Sequence, residues 1–542
     1  MLRTGVMRLP RLSSERGMVL PIALGILSVL SISAVVVLDS SSTNARSSTR
    51  SKGDKVAFAL AEAGINNAVA VLSKAGNDNM HQALLPACKI AGQWTDQATW
   101  KLNDGGNPAV KYEGGEVRWC ATFDANTAAW KVTSRGIVRN PYGTVATTTR
   151  QLSAEIPITP IETQPLQNQA WNFMFATRTG TASGCDLTFS NNVAIGTNVY
   201  AMGNLCLDNN VVISAPKVIT LGKIYVANNA AIGTAGTNNW STRVEVQLGG
   251  AGGQFCKYAT ESWTTISSSP FCGDLQHVYS KNSTSSAMTV NPTPQNIAPP
   301  TVDWPGWYEA AIPGPKQVCT TSSGTPPVFD GDTTRNNSIA TVFDLTPESS
   351  SYTCRVGPSG TPLGELTWNH STKTLTAHGT IFIDGSVKMV NTAVLQYDGY
   401  ATLYASGTFL MDNGAKFCAV KNAAGTDCDY AGWDPNTQMF TVVTGGSGAL
   451  AGAQSQAGST ADGGGNSTLL SNNVRFQGAL YATNAIQLVN NSKVDGPMIG
   501  STIIVDNNVT PDAFPFIEQA PAGMPGNTNV FAQTQQPRLF SG

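Results

Sequence analysis

Pairs of asparagine recur along this chain at a nearly fixed spacing. Asn191-Asn192, Asn209-Asn210 and Asn228-Asn229 stand in FSNNVAIG, LDNNVVIS and VANNAAIG. In each block an isoleucine (Ile195, Ile213, Ile232) follows the second Asn by three positions. The pattern returns near the C-terminus at Asn472-Asn473, Asn490-Asn491 and Asn507-Asn508, and both sets keep an interval of about 18 residues. Between the two sets, HGTIFIDGS (378–386) and ASGTFLMDNG (405–414) share the form of a short apolar strand ended by Asp/Asn-Gly. A period near 18 fits one rung of a parallel β-helix with three short faces, in which inward Val, Ile and Leu stack on the rung above. Asn at the corner tolerates left-handed backbone and bonds to the Asn of the next rung. A β-sandwich with Asn-rich turns is the alternative, but it has no reason to hold one spacing over two separated sets.

The N-terminus imposes a second constraint. Residues 1–17 carry Arg3, Arg8, Arg11 and Arg16 against one acid, Glu15, and the stretch from Met18 to Leu38 then has no charge at all. As a helix this run is about 31 Å long, at about 1.5 Å per residue, enough to cross the hydrocarbon core of a bilayer. The basic flank stays in the cytoplasm, so the body is expected to be translocated. Pro21 falls in the first turn, where a missing N–H costs little. A cleaved secretory signal requires a shorter apolar core and a small-x-small site, and nothing from Asp39 onward supplies one. A plain membrane anchor fits the length. After a Ser/Thr-rich stretch, KVAFALAEAGINNAVAVL (55–72) sets Val56, Leu60, Ile65, Ala68, Val69 and Leu72 near one helical face, so 39–74 reads as an amphipathic helical stem.

These segments resemble the N-terminal region of PilX-type minor pilins of type IV pili. Glu15-Arg16-Gly17-Met18 looks like a prepilin peptidase site, and RGMVLPIALGILSVLSISAVVVL followed by AFALAEAGINNAV is similar to the stem of that family, which shares the AEAG helix. The resemblance spans roughly residues 10–160. It implies cleavage between Gly17 and Met18, and prepilin peptidase and other pilin-like subunits as partners. It also implies a single-pass inner-membrane precursor with an extracytoplasmic body, displayed on the pilus or cell surface when mature. One position departs from the pattern: Ile22 stands fifth in the implied mature chain, where most pilins carry Glu. In such proteins the missing acid suits a tip or initiating subunit.

The fold expected is therefore mainly β behind one long N-terminal helix. Residues 75–158 form a small β domain with strands at 117–123, 129–139 and 144–158, because these stretches alternate and are β-branched. A linker with two prolines follows at 159–169. A first solenoid part covers 170–234, an insertion 235–375, and a second solenoid part 376–510 with a low-complexity loop at 445–467. Residues 511–542 read as an extended tail or cap strip.

Charged residues make up 13% of the chain and the net charge is −2. No basic field is present to hold nucleic acid. The ten cysteines, Cys88, Cys120, Cys185, Cys206, Cys256, Cys272, Cys319, Cys354, Cys418 and Cys428, all follow the apolar segment, and no C-x-x-C pair occurs. With four His in the chain, disulfides in an oxidising compartment explain them better than zinc does. Pairing in sequence order (88–120, 185–206, 256–272, 319–354, 418–428) is the working expectation, although sequence alone does not fix connectivity.

Candidate chemistry is sparse. Parallel β-helices include polysaccharide lyases and hydrolases, which need clustered acids or a carboxylate pair. Here Asp208, Asp384, Asp398, Asp412, Asp495 and Asp506 are dispersed, and Asp384 and Asp412 precede turn residues. Gly446-Ser447-Gly448 lacks the strand–turn–helix frame of a nucleophile elbow. His370 and His378 read as surface or satellite-core residues. Asn77-Asp78-Asn79 lacks the turn Gly and distal Glu of a calcium loop. No catalytic, metal or cofactor residue is assigned. Trp304, Trp307 and Tyr308 form an aromatic cluster that is either a platform for a glycan or a surface ligand, or a plug that packs the insertion onto the solenoid. The expectation is a non-enzymatic, pilus-associated surface protein with a β-helical head for adhesion or assembly. The alternatives are a membrane-anchored β-helical envelope scaffold and a β-helical carbohydrate-active enzyme.

Overall fold

The computed structural model describes residues 19–73, 86–102 except 91, 115–139 except 125, 126 and 128, 147–179, 185–226, 230–232, 294–304 except 303, 342–356, 364–446 except 384, 466–527, 532–534 and 536–541. Short strands are also placed within 245–321. One helix, Val19–Leu72, precedes a body that is almost entirely β. The helix is a single rod of 54 residues, so the membrane-length run and the amphipathic stem are continuous. The Ser/Thr-rich stretch between them does not break it. Ser42 Oγ bonds to the Asp39 carbonyl and Thr49 Oγ1 to that of Ala45, so these hydroxyls are satisfied inside the helix.

The lower half of the helix lies on an antiparallel sheet. Gly115–Asp124 pairs with Ala129–Arg139, which pairs with Thr147–Pro160. Ala57, Leu60, Ala61, Ile65, Ala68 and Leu72 are buried against Val117, Trp119, Trp130 and Val132. Close approach depends on Gly136: a Cβ there would sit 2.0 Å from the Ala57 carbonyl oxygen. Trp119 Nε1 donates to Asn67 Oδ1 at 2.8 Å, anchoring the helix at a fixed height. The stretch read as a tail completes this sheet. Ala532–Thr534 and Arg538–Ser541 both pair antiparallel with Thr147–Pro160. The large β body is thus inserted between two neighbouring strands of the basal sheet. Its neck is a two-stranded pairing of Thr163–Pro165 with Gln519–Pro521.

Beyond the neck the chain winds through parallel ladders. Met174–Ala176, Val199–Ala201, Lys217–Thr220 and Glu245–Leu248 stack on one face, and Leu187–Phe189, Leu205–Leu207, Ile224–Val226 and Phe255–Ala259 on a second. Ala194–Ile195, Val212–Ile213 and Ala231–Ile232 make the third. Parallel pairing thus continues past residue 234, where the insertion was expected to begin. From Gly379 onward the second part winds in the same way, through Tyr400–Ala405, Met439–Thr444, Ala479–Leu488 and Met498–Val505. The spacing is not constant. Asn472 and Asn490 are 18 residues apart on successive turns, whereas Ser386 and Thr408 are 22 apart.

The two parts form one continuous coil, stacked out of sequence order. The last turn of the second part lies against the first turn of the first: Met498, Ile499 and Gly500 pair in parallel with Met174, Phe175 and Ala176, and Ile503–Val505 with Leu187–Phe189. The chain therefore enters and leaves the coil at its waist, where the neck attaches. The far end of the second part is closed by antiparallel pairings among Tyr352–Val356, Gly364–Asn369 and Thr374–Ile383.

Candidate functional site

The upper half of the helix is the feature with no partner inside the described chain. Leu20, Ile22, Leu24, Ile26, Leu27, Val29, Leu30, Ile32, Val35, Val36, Val37 and Leu38 are all more than half exposed, Leu20 at 73%. Burying one such side chain is worth about 1.5–3 kcal/mol, so twelve of them in water are a strong demand for an apolar surrounding. Among the described residues this one helix is long and apolar enough to cross a membrane. Pro21 and Ile22 lie in its first turns, while Gly17 and Met18, the expected cleavage pair, lie outside the described residues.

Three disulfides tie the described body. Cys88–Cys120 pins the segment before the basal sheet to its first long strand, Cys185–Cys206 links successive turns of the coil, and Cys418–Cys428 closes a surface loop. Cys354 is also bridged. The backbone register sets Cys319 opposite Cys354 and Cys256 opposite Cys272, while the side chains of Cys256, Cys272 and Cys319 lie outside the described residues.

Trp304 is not an exposed platform. It is 6% exposed and meets Phe382 and Tyr404 edge-on, with centroids 6.1 and 5.3 Å away. It ends a strap, residues 294–304, laid along the outside of the coil. Tyr200 Oη donates to the Gln295 carbonyl and accepts from the Ile297 amide, both at 3.1 Å. Tyr481 Oη reaches the Pro300 carbonyl at 3.5 Å. Tyr200 belongs to the first part of the coil and Tyr404 to the second, so the strap crosses the seam between them. Trp304 was a signal for packing, because a large indole among prolines serves a strap as readily as a ligand platform. Trp307 and Tyr308 lie outside the described residues.

Three of the acids named from the coil, Asp208, Asp412 and Asp495, are engaged in its own structure, whereas Asp506 buries an Oδ1 with no hydrogen-bond partner among the described residues. Asp412 accepts from Ser471 Oγ at 2.8 Å and Asn472 Nδ2 at 2.7 Å, stitching one corner to the next turn. Asp208 accepts from the Asn209 amide at 2.9 Å. Asp495 is fully buried and takes two bonds from Arg475, at 2.8 and 3.1 Å. Burial still holds its carboxyl above the usual carboxylate range, against the pull of Arg475. Asp398 is exposed, and Asp384 lies outside the described residues. His370 shares a bond with Ser351 Oγ at 2.9 Å, and His378 faces Glu162 at 3.6 Å. Among the described residues no group of three or more His, Cys, Asp or Glu is placed to hold a metal. Gly446 is described at φ 64°, whereas Ser447, Gly448 and Asn77-Asp78-Asn79 are not. Sequence reasoning missed the pairing of two buried carboxylates, Asp495 with Arg475 and Asp186 with the more exposed Arg178, which lie 20 and 8 residues apart with nothing local to couple them.

No protein-family model and no curated protein matches this chain. Among solved structures it is similar to the competence-associated pilin ComZ from Thermus thermophilus, at 12% identity over 90% of this chain and 97% of that one, with a TM-score of 0.28. The chain is one long N-terminal helix followed by a mostly β body with a large parallel sheet.

Proposed function

We propose that this chain is an accessory, non-enzymatic subunit of a type IV pilus, cut between Gly17 and Met18 by prepilin peptidase and displaying its β-coil at the cell surface for adhesion or assembly. The observation that carries this reading is the division of one helix into two environments. Residues 57–72 bury one face on an antiparallel sheet, and residues 20–38 expose an apolar surface. Before assembly the bilayer covers that surface, as a single-pass anchor. Afterwards the stems of other pilin-like subunits cover it, since Leu, Ile and Val faces satisfy one another as well as lipid does. Ile22 in place of the usual Glu favours a tip or accessory position over a repeating filament subunit.

N-terminal sequencing of the protein from cells with active peptidase is the test. A chain beginning at Met18, and a Gly17→Val variant that stays full-length, are expected. A full-length wild-type chain overturns the reading and leaves an anchored envelope scaffold, which the same exposed helix serves equally well. Co-purification with sheared pili separates those two readings a second time.

A further inference from the structure

The face of the basal sheet turned away from the helix holds a cavity of about 460 Å³, within the size range of small-molecule sites. Alternation along the strands sends Val132 and Ser134 toward the helix, and Lys131 and Thr133 to the opposite face. Thr133 pairs in register with Ser153, and Lys131 with Thr122 and Glu155, so these five side chains share the cavity floor. The wall is the segment held by the Cys88–Cys120 disulfide, where the two-stranded pairing of Lys89–Ile90 with Gln93–Trp94 presents Lys89 and Trp94.

Trp94 is 49% exposed yet fixed in place. The Arg135 guanidinium lies 5.9 Å from its ring centroid, the Lys89 ammonium 4.7 Å, and the ring of buried Trp100 6.1 Å. Trp100 is in turn held by a 3.0 Å bond from its Nε1 to Thr95 Oγ1, and Thr95 bonds back to Cys88. Charge at the site is unbalanced. Lys131 is neutralised by Asp124 at 2.6 Å, while Arg135 bonds to the Gln151 amide oxygen rather than to a carboxylate. Lys89 has no ion-pair partner among the described residues. Glu155 is the remaining acid on the floor.

We infer that this cavity binds an acidic sugar unit of a glycan. The exposed indole of Trp94 offers a flat surface for the apolar face of a pyranose ring. Thr122, Thr133, Ser153 and Glu155 offer the mix of donors and acceptors that a polyol requires. Lys89 supplies the unpaired cation for the sugar's carboxylate. The inference does not depend on processing of the stem.

Its test uses the full chain in detergent micelles, titrated by calorimetry with a galacturonate trisaccharide and with the same trisaccharide fully methyl-esterified. The acid should bind about tenfold more tightly than the ester, the worth of one charge-assisted bond. Trp94→Ala should abolish measurable binding of both while leaving circular dichroism unchanged. Lys89→Gln should bring the acid down to the ester's affinity and leave the ester unaffected. Equal binding of acid and ester, binding undiminished in Trp94→Ala, or no binding of either sugar overturns the inference.

Discussion

The backbone amide of Asn508 donates to the carbonyl of Asn191 at 3.2 Å, so the last Asn pair of the sequence and the first are neighbours in space. On either side the same bond repeats, from Asn473 to Asn490, Asn491 to Asn507 and Asn192 to Asn209. Side-chain amides run parallel to it, Asn490 to Asn472, Asn491 to Asn473 and Asn210 to Asn192. What looks in the sequence like two repeat arrays is one ladder, and its seam is the contact that assembles the head.

Every Asn of the ladder named above except Asn209 holds left-handed backbone, with φ of 61° at Asn508 and at Asn192. For an ordinary residue that conformation costs about 1–2 kcal/mol. Asn508→Val should therefore lower stability by about that amount, whereas Asn508→Gly, which keeps the backbone freedom, should cost only a few tenths of a kcal/mol, a difference resting on glycine's missing Cβ. Urea midpoints of the two variants in the full chain check this. Identical midpoints would show that Asn serves the corner by some means other than conformation.

The corners were legible because a repeated geometric demand leaves a repeated residue. Asn in left-handed backbone is a local requirement, and the one-helix stem was legible for the same reason, since a charge-free run of membrane length has few other uses. The order of stacking left no such mark. Parallel turns present the same strand and corner to whatever lies above them, so the pairing of Met498 with Met174 looks no different in sequence from the pairing of Met498 with Leu480. The closing strands Ala532–Thr534 and Arg538–Ser541 were hidden because they are three and four residues long among prolines and polar residues. Trp94 gave one signal, an aromatic residue shortly after the first cysteine. Its cavity, however, depends on Thr122, Lys131, Thr133, Ser153 and Glu155, which sit on three later strands that nothing near Trp94 announces.

Gly136 and Gly25 provide a matched pair of glycine substitutions. A Cβ on Gly136 would stand 2.0 Å from the Ala57 carbonyl oxygen, and backbone on backbone leaves little room to yield. Gly136→Ala should push the helix off the sheet and destabilise the base by about 1–3 kcal/mol or more, as overpacking does. Gly25 has nothing within 4 Å of such an atom, so Gly25→Ala should leave thermal unfolding of the body unchanged. Limited proteolysis at the helix–sheet junction, compared between the two variants, reads the difference directly.

Trp304 closes the strap over Phe382 and Tyr404. Truncating a buried Trp to Ala typically costs about 3–5 kcal/mol. Trp304→Ala should fall in that range and release the strap, so that protection from hydrogen exchange is lost at Ile297, whose amide is held by Tyr200. Trp304→Phe should retain most of the stability. If the alanine variant were as stable as the wild type, the strap would be an ornament on the coil rather than a clamp across its seam.

Tyr481 lies beneath the same strap, and burial pushes its hydroxyl up to about 12. In the unfolded chain the group ionises near its ordinary value of 10.0. Between these two values the unfolded state has lost a proton that the native state keeps, so stability is complete below pH 10 and falls as pH rises toward 12. One group shifted by this much accounts for about 2–3 kcal/mol. Tyr400 is raised to about 12 as well, and burial raises Tyr352 and Tyr397 too. The alkaline slope of the wild type should therefore exceed that of a single proton, and Tyr481→Phe should remove one proton from it without abolishing it. Urea unfolding followed at a series of pH values from 9 to 12 measures both slopes, and equal slopes would place the Tyr481 hydroxyl in contact with water.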